Sequence, residues 1–251
     1  MSARLTSPSR RIAAIGAVVA LVVALVATGI AIGKNTGGSG KREPAAGASG
    51  DSAPSAAERQ KAYAQLEKAS VRRTGDDPLA VGKADAPVVL VEYADYQCSY
   101  CGKFTRDSQP ELIKKYVDEG TLRIEFRNFP IFGKDSERAA RASWAAGRQG
   151  RFWQFHDEVY AKTRKGDALA EDKLVDMAKD SGVTDLDRFR ADLNGPASEA
   201  AVKKDQEEGY SIGVQSTPSF LVNGQPIAGA QPMSAFDEAI AQAKAAKKSE
   251  K

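Results

Sequence analysis

PVVLVEYADYQCSYCGKF, residues 87–104, sets four consecutive apolar residues and then two acids ahead of a pair of cysteines three positions apart, and these are the only two cysteines in the 251-residue chain. A continuous run such as Val88 to Val91 is what a central strand buried on both faces looks like. It ends at Asp95, just before the cysteines. The next segment has helical spacing at Phe104, Leu112, Ile113, Tyr116 and Val117, with Gly120 as a stop signal and Pro110 placed to kink the helix. TLRIEFRNF, residues 121–129, then alternates Leu122, Ile124 and Phe126 with Arg123, Glu125 and Arg127, which predicts a strand with one wet face. Strand, helix and strand in this order make a right-handed crossover unit.

From about 134 to 213 the pattern is helical, in short pieces broken at Gly150, Gly166, Gly182 and the Asn-Gly-Pro of 194–196, with Thr184 and Asp187 spaced as a capping box. PSFLVNGQPIAG, residues 218–229, gives a short strand, an Asn223-Gly224 turn and an edge strand that tolerates Pro226. A last helix is expected to begin near Pro232. The predicted fold class is therefore α/β, a four-stranded mixed sheet with a helical block inserted between its halves.

A helix starting at Cys98 places that sulfur among unpaired amide groups, where negative charge is favoured, and Cys101 one turn further in is the more enclosed of the two. One sulfur is suited to attack and the other to resolve. A zinc site would need two more ligands, yet the chain has one histidine and no further cysteine. A structural disulfide would close too small a loop to restrain the unfolded chain much. Two inert buried thiols fit poorly with the polar neighbours Gln97, Ser99 and Gly102. Redox chemistry is the reading left standing, and a pair of this spacing after a buried strand is a strong signal for it. No dissociable cofactor and no metal are called for.

Around the domain the composition shifts. Ile12 to Gly33 is 22 uncharged residues, long enough as a helix to cross a bilayer, with Arg4, Arg10 and Arg11 before it. A cleaved signal peptide is the competing reading, against which stand the length of the run and the lack of a clear A-x-A cleavage pattern after it. The expected organisation is a cytoplasmic N-terminus at 1–11, a transmembrane anchor at 12–33, a flexible linker and spacer helix at 34–74, and one domain at 75–251 outside the membrane. The linker is rich in Gly, Ser, Ala and Pro. For the helix-prone stretch AAERQKAYAQLEKASVRR, residues 56–73, a solvated spacer and a helix docked on the domain are equally open readings. The net charge of +3 comes from 36 basic and 33 acidic residues spread along the chain, which argues against a nucleic-acid partner.

VLVEYADYQCSYCGKF, with FRNFP at 126–130, FHDEVY at 155–160 and STPSFLVNG at 216–224, resembles the DsbA-like branch of thioredoxin-fold proteins, particularly its membrane-anchored bacterial members. The resemblance covers about residues 75 to 247. It implies a thioredoxin fold with a helical insertion and a thiol:disulfide oxidoreductase acting on reduced exported proteins, recharged by a quinone-linked membrane protein. It further implies Cys98 as nucleophile, Cys101 as resolving thiol, and Ser99 and Tyr100 as the dipeptide that tunes them. Pro218 takes the place of a cis-proline that, with Thr217, receives extended substrate. Glu92 matches a buried acid six residues before the nucleophile; a solvated strand-end carboxylate is its other reading. Ser-Tyr replaces the Pro-His dipeptide of DsbA itself, so Cys98 is expected to be acidic, but less so than there. An isomerase or reductase on the same fold, and a holdase with incidental cysteines, are the rival functions. His156, Trp144 and Trp153 read as packing residues.

Overall fold

A computed structural model describes residues 54–249. The element order is α1 (Ala56–Ser70), β1 (Ala80–Val81), β2 (Val88–Ala94), α2 (Ser99–Asp107), α3 (Gln109–Leu112, running into a π turn at Ile113–Val117), β3 (Leu122–Asn128), α4 (Lys134–Gly147), α5 (Phe152–Tyr160), a 3-10 turn (Gly166–Leu169), α6 (Glu171–Asp180), α7 (Leu186–Asn194), α8 (Pro196–Ser211), β4 (Ser219–Val222), β5 (Gln225–Ala228) and α9 (Met233–Ser249). The sheet has five strands in the order β1-β3-β2-β4-β5. β2 and β3 are parallel and all other pairs antiparallel. The four expected strands are present; the fifth, β1, is two residues long and too short to show a period in the sequence.

β2 is central and buried throughout, as its apolar run predicts. Val88 and Leu90 face Phe104, Leu112, Phe236 and Ile240, while Val89, Val91 and Tyr93 face Ala62, Leu66 and Ile212. The inserted helices build a third cluster that meets the sheet at Ala94 and Phe126 and takes in both cysteines. The helix after Cys101 breaks at Ser108, two residues before Pro110. The Asn223-Gly224 turn forms as expected, with both residues at positive φ. The cap of α7 is Asp185 rather than Thr184: the Asp185 carboxylate accepts the Arg188 amide at 2.9 Å, the stronger acceptor taking the position.

Two further findings revise the sequence reading. First, α1 packs on the domain and is not a solvated spacer. Ala62 and Leu66 are buried, and the Gly224 turn approaches it so closely that a Cβ there would collide with the Tyr63 carbonyl. Second, the polar face of β3 is dry. Arg123, Glu125 and Arg127 are all buried. Glu125 accepts from Arg123 Nε (2.9 Å), from Arg127 Nη2 (2.8 Å) and from the amides of Arg72 and Arg73. Arg127 Nε also reaches Glu208 on α8 (2.9 Å), and Arg72 joins Glu208 and Asp205. The alternation is real, but the charges are turned toward one another beneath α8 and the segment after α1 instead of toward water. No helix among the described residues is long and apolar enough to cross a membrane. The expected span at 12–33, the segment 1–11 and linker residues 34–53 lie outside the described residues.

Burial raises the Glu125 carboxyl, but the Arg72 amide, Arg127 and Arg123 outweigh it and hold it at about 2. Folded Glu125 therefore binds fewer protons than unfolded Glu125, whose pKa is ~4.3. Its contribution is complete above ~pH 5 and drains away as the pH falls toward 2. Arg127→Met, which leaves two carboxylates short of a buried partner, is expected to cost about 3–5 kcal/mol at pH 7. Urea unfolding checks this, and the deficit should narrow as the pH is lowered through that window.

Candidate active site

Cys98 caps the N-terminus of α2. Its Sγ accepts from the Cys101 amide at 3.3 Å and lies 3.3 Å from Thr217 O. Both cysteines are free thiols; Cys101 is fully enclosed and Cys98 only 6% exposed, while Ser99 and Tyr100 between them face solvent. Cys98 is thus more covered than its polar neighbours suggest, because the Thr217-Pro218 segment, joined by a cis peptide bond, lies against it.

The two sulfurs differ sharply in acidity. Hydrogen bonding from the Cys101 side chain, opposed by burial and helped by Thr217 and the amides of Cys101 and Tyr100, brings the Cys98 thiol down to about 6. Burial pushes Cys101 well up, and its hydrogen bond to Cys98 adds to this. Glu92 is fully buried beneath the pair, with no hydrogen-bond partner for either carboxylate oxygen. Burial, and then the charge of Cys98, raises it to about 8, so it is a carboxylic acid at neutral pH. The solvated reading of Glu92 is overturned: β2 is covered on both faces even at its end.

Asp95, the other acid, does a different job. Its Oδ1 accepts from Gln97 N (2.7 Å) and Ser136 Oγ (2.6 Å), its Oδ2 from Ile131 N (2.7 Å) and Phe132 N (3.0 Å), and its carbonyl from Cys98 N (3.0 Å). Gln97 extends the clasp, donating to Phe132 O and Ser136 Oγ and accepting from Gly166 N. Its role is invisible in the sequence because its partners lie 35 to 69 positions away. Among the described residues no group of His, Cys, Asp and Glu could hold a metal.

The sequence that folds in this way, with its C-x-x-C pair at a helix start and a proline facing it, matches the thioredoxin family profile over residues 74–242. "Probable disulfide bond formation protein D" of Bacillus cereus is 35% identical over 150 residues, 58% of this chain and 69% of that protein. The chain belongs to the DsbA-like thioredoxin-fold family. The oxidised BdbD structure from Bacillus subtilis superposes with a TM-score of 0.63 at 28% identity, covering 67% of this chain and 93% of that one. Wolbachia pipientis α-DsbA1, at 21% identity and a TM-score of 0.61 over 70% of this chain and 99% of its own, shares the fold. As a member of this family the protein is a thiol:disulfide oxidoreductase, and the structure gathers Glu92, Cys98, Ser99, Tyr100, Cys101, Thr217 and Pro218 at the C-terminal end of β2. Trp153 packs between core clusters and bonds Ala80 O, while Trp144 carries the Arg148 guanidinium, in keeping with their reading as packing residues.

Alkylation of the reduced protein by iodoacetamide is expected to titrate with a midpoint near 6, from Cys98 alone. Mass spectrometry should find Cys101 unmodified until the protein is denatured. A midpoint at the ordinary thiol value of ~8.5 would contradict the site's electrostatics.

Proposed function

We propose that the protein introduces disulfide bonds into reduced exported proteins, and the observation that carries this reading is the asymmetry of the pair: an acidic Cys98 at a helix start over an enclosed, weakly acidic Cys101. The name of the B. cereus relative supports the direction. A substrate thiolate attacks Cys98 Sγ of the oxidised pair. The Cys98–Cys101 bond breaks, a mixed disulfide forms on Cys98, and Cys101 leaves as a thiolate that takes the Glu92 proton. A second substrate thiolate then attacks the substrate sulfur of the mixed disulfide, releasing Cys98 as the thiolate its surroundings favour. The two electrons stay on the dithiol until a membrane partner, quinone-linked by resemblance, removes them. Thr217 and Pro218 hold extended substrate against Cys98, and Ser99 and Tyr100 tune the pair. The apolar span at 12–33 supports an anchored domain on the outer side of the membrane.

Ionisation of Cys98 stabilises the reduced form above its pKa, and the effect vanishes as the pH falls through about 6. At pH 7 that is roughly one unit, about 30 mV for a two-electron couple, which lifts a thioredoxin-like baseline of about −270 mV to near −240 mV. Such a couple still oxidises structural dithiols, whose potentials lie below about −300 mV. The same moderate value of Cys98 favours, as the second reading, an isomerase or reductase. Titration against glutathione is expected to give a midpoint near −240 mV or more oxidising. In parallel, Cys101→Ala should accumulate substrate mixed disulfides and Cys98→Ala none. A midpoint of −270 mV or below makes reductase the better assignment; a Cys98→Ala variant that still suppresses aggregation while wild type turns over no thiols points to a holdase.

A further inference from the structure

Seven of the nine buried side-chain atoms without a hydrogen-bond partner among the described residues lie on the elements around Glu92: both Glu92 oxygens, Tyr96 OH, Tyr160 OH, Thr105 Oγ1, Gln109 Oε1 and His156 Nε2. The polar side chain close to Tyr96 OH is Ser143, whose hydroxyl is already engaged with Asn128 and Ala140. Native interiors satisfy nearly all such groups, so orphans gathered together mark a functional, hydratable seam rather than scattered imperfection. Cys101 and Thr105 are four residues apart on one face of α2, and Gln109 continues their line on α3. His156 and Tyr160 have the same spacing on α5, which packs against α2. The Tyr96 ring stacks on Tyr160 at 4.8 Å, and the His156 ring lies 4.9 Å from Tyr160 and 6.3 Å from Tyr96.

The seam has an outer end. His156 is itself fully buried, but its Nδ1 is 2.9 Å from the carboxylate of Asp157, which is 62% exposed. Asp157 borders a cleft of about 350 Å³ whose walls include Thr105, Arg106 and Gln109. The opposite end, at Cys98, is closed by Thr217-Pro218, and in a mixed disulfide the substrate covers it further. A proton that Glu92 gives to Cys101 therefore has to be replaced while the front of the site is shut.

We propose that Glu92 exchanges its proton with solvent through the back of the domain, along Tyr96 and Tyr160 to His156 and out at Asp157. This rests on the thiol-exchange reading above. In substrate oxidation Glu92 protonates the departing Cys101 thiolate; the resulting carboxylate is reprotonated by His156 Nε2–H through the two hydroxyls and water bridging the gaps between these unpaired atoms, and Nδ1 takes up one proton from the Asp157 side. One proton passes from solvent to Cys101 for each disulfide opened, and enzyme reoxidation runs the path in reverse. An imidazole can accept on one nitrogen and donate from the other, which suits His156 to the link between the enclosed hydroxyls and the exposed carboxylate. The groups facing Glu92 are Cys98 and Cys101 from the active-site helix, Tyr96 from the loop after β2, Tyr160 from α5, and the apolar Phe126 and Phe220 of the adjacent strands. His156 is faced by Asp157, Tyr96 and Tyr160 among apolar Phe126, Phe152 and Trp153, with the Arg106 guanidinium bound to Tyr160 O nearby.

The test is the rate at which the oxidised protein is reduced by saturating dithiothreitol, read by acid quench and maleimide labelling, in water and in deuterium oxide from pH 6 to 9. Glu92→Gln should slow the step by ~100-fold or more. His156→Phe should slow it roughly tenfold, about 1.4 kcal/mol of barrier, with a larger solvent isotope effect and an unchanged glutathione midpoint. Asp157→Asn, at an exposed position, should move rate and isotope effect in the same direction to a smaller extent. On the Glu92→Gln background His156→Phe should add nothing. Unchanged rates and isotope effects in both His156→Phe and Asp157→Asn, or an equal loss from His156→Phe with Glu92 already replaced, would overturn the path. Should His156→Phe not fold, Asp157→Asn decides alone. Absence of any exchange in the wild-type protein would remove the thiol-exchange reading itself, whereas normal wild-type exchange with silent variants removes only the path.

Discussion

The Asp95 carboxylate ties together the end of β2, the turn into α2, the loop at 131–132 and the start of α4. A buried carboxylate is tolerated only where its lone pairs are filled, and a network so filled is rigid because losing any donor exposes an uncompensated charge. Cys98 begins the helix where it does because the backbone before it is held at Asp95. The acidity of Cys98 rests first on the Cys101 side chain and then on Thr217 and the amides of that helix start, all of which depend on where the helix begins. The chemistry of the sulfur thus depends on an acid three residues away that never touches it in the reaction.

Glu92 and Asp95 stand three positions apart and show how differently one side chain type can be used. Asp95 is surrounded by donors; Glu92 has none, and its environment keeps a proton on it instead. The same contrast recurs on β3, where Glu125, buried as deeply as Glu92, is held ionised by two guanidinium groups and two amides. Burial alone decides nothing about charge; the donors that arrive with it do.

The features legible in the sequence were those with local signatures. The apolar run of β2, the pair of cysteines after it, the break near Pro110 and the Asn-Gly turn each declare themselves within a dozen residues, and the resemblance placed Thr217-Pro218 opposite the pair. What stayed hidden depends on partners far along the chain. Arg123, Glu125 and Arg127 alternate as a wet strand would, and only Arg72, Asp205 and Glu208 reveal that they are covered. His156 read as a packing residue, and its burial among aromatic rings agrees; its bond to Asp157 and its place beside Tyr96 and Tyr160 needed the fold. The two residues of β1 are recognisable only by their pairing with Ile124 and Glu125.

The close seat of α1 on the Asn223-Gly224 turn has a consequence for how the domain is held together. Asn223 bonds Val89 at the foot of β2, the end remote from Cys98. Lys247, near the end of α9, lies 3.5 Å from Glu67 of α1, and both border the same small cavity beside that turn. The first and last helices of the domain therefore meet at its base. The base is thus where the domain is knotted together from both directions of the chain, and the reactive sulfur sits at the opposite end of β2, under Thr217-Pro218 and remote from that knot.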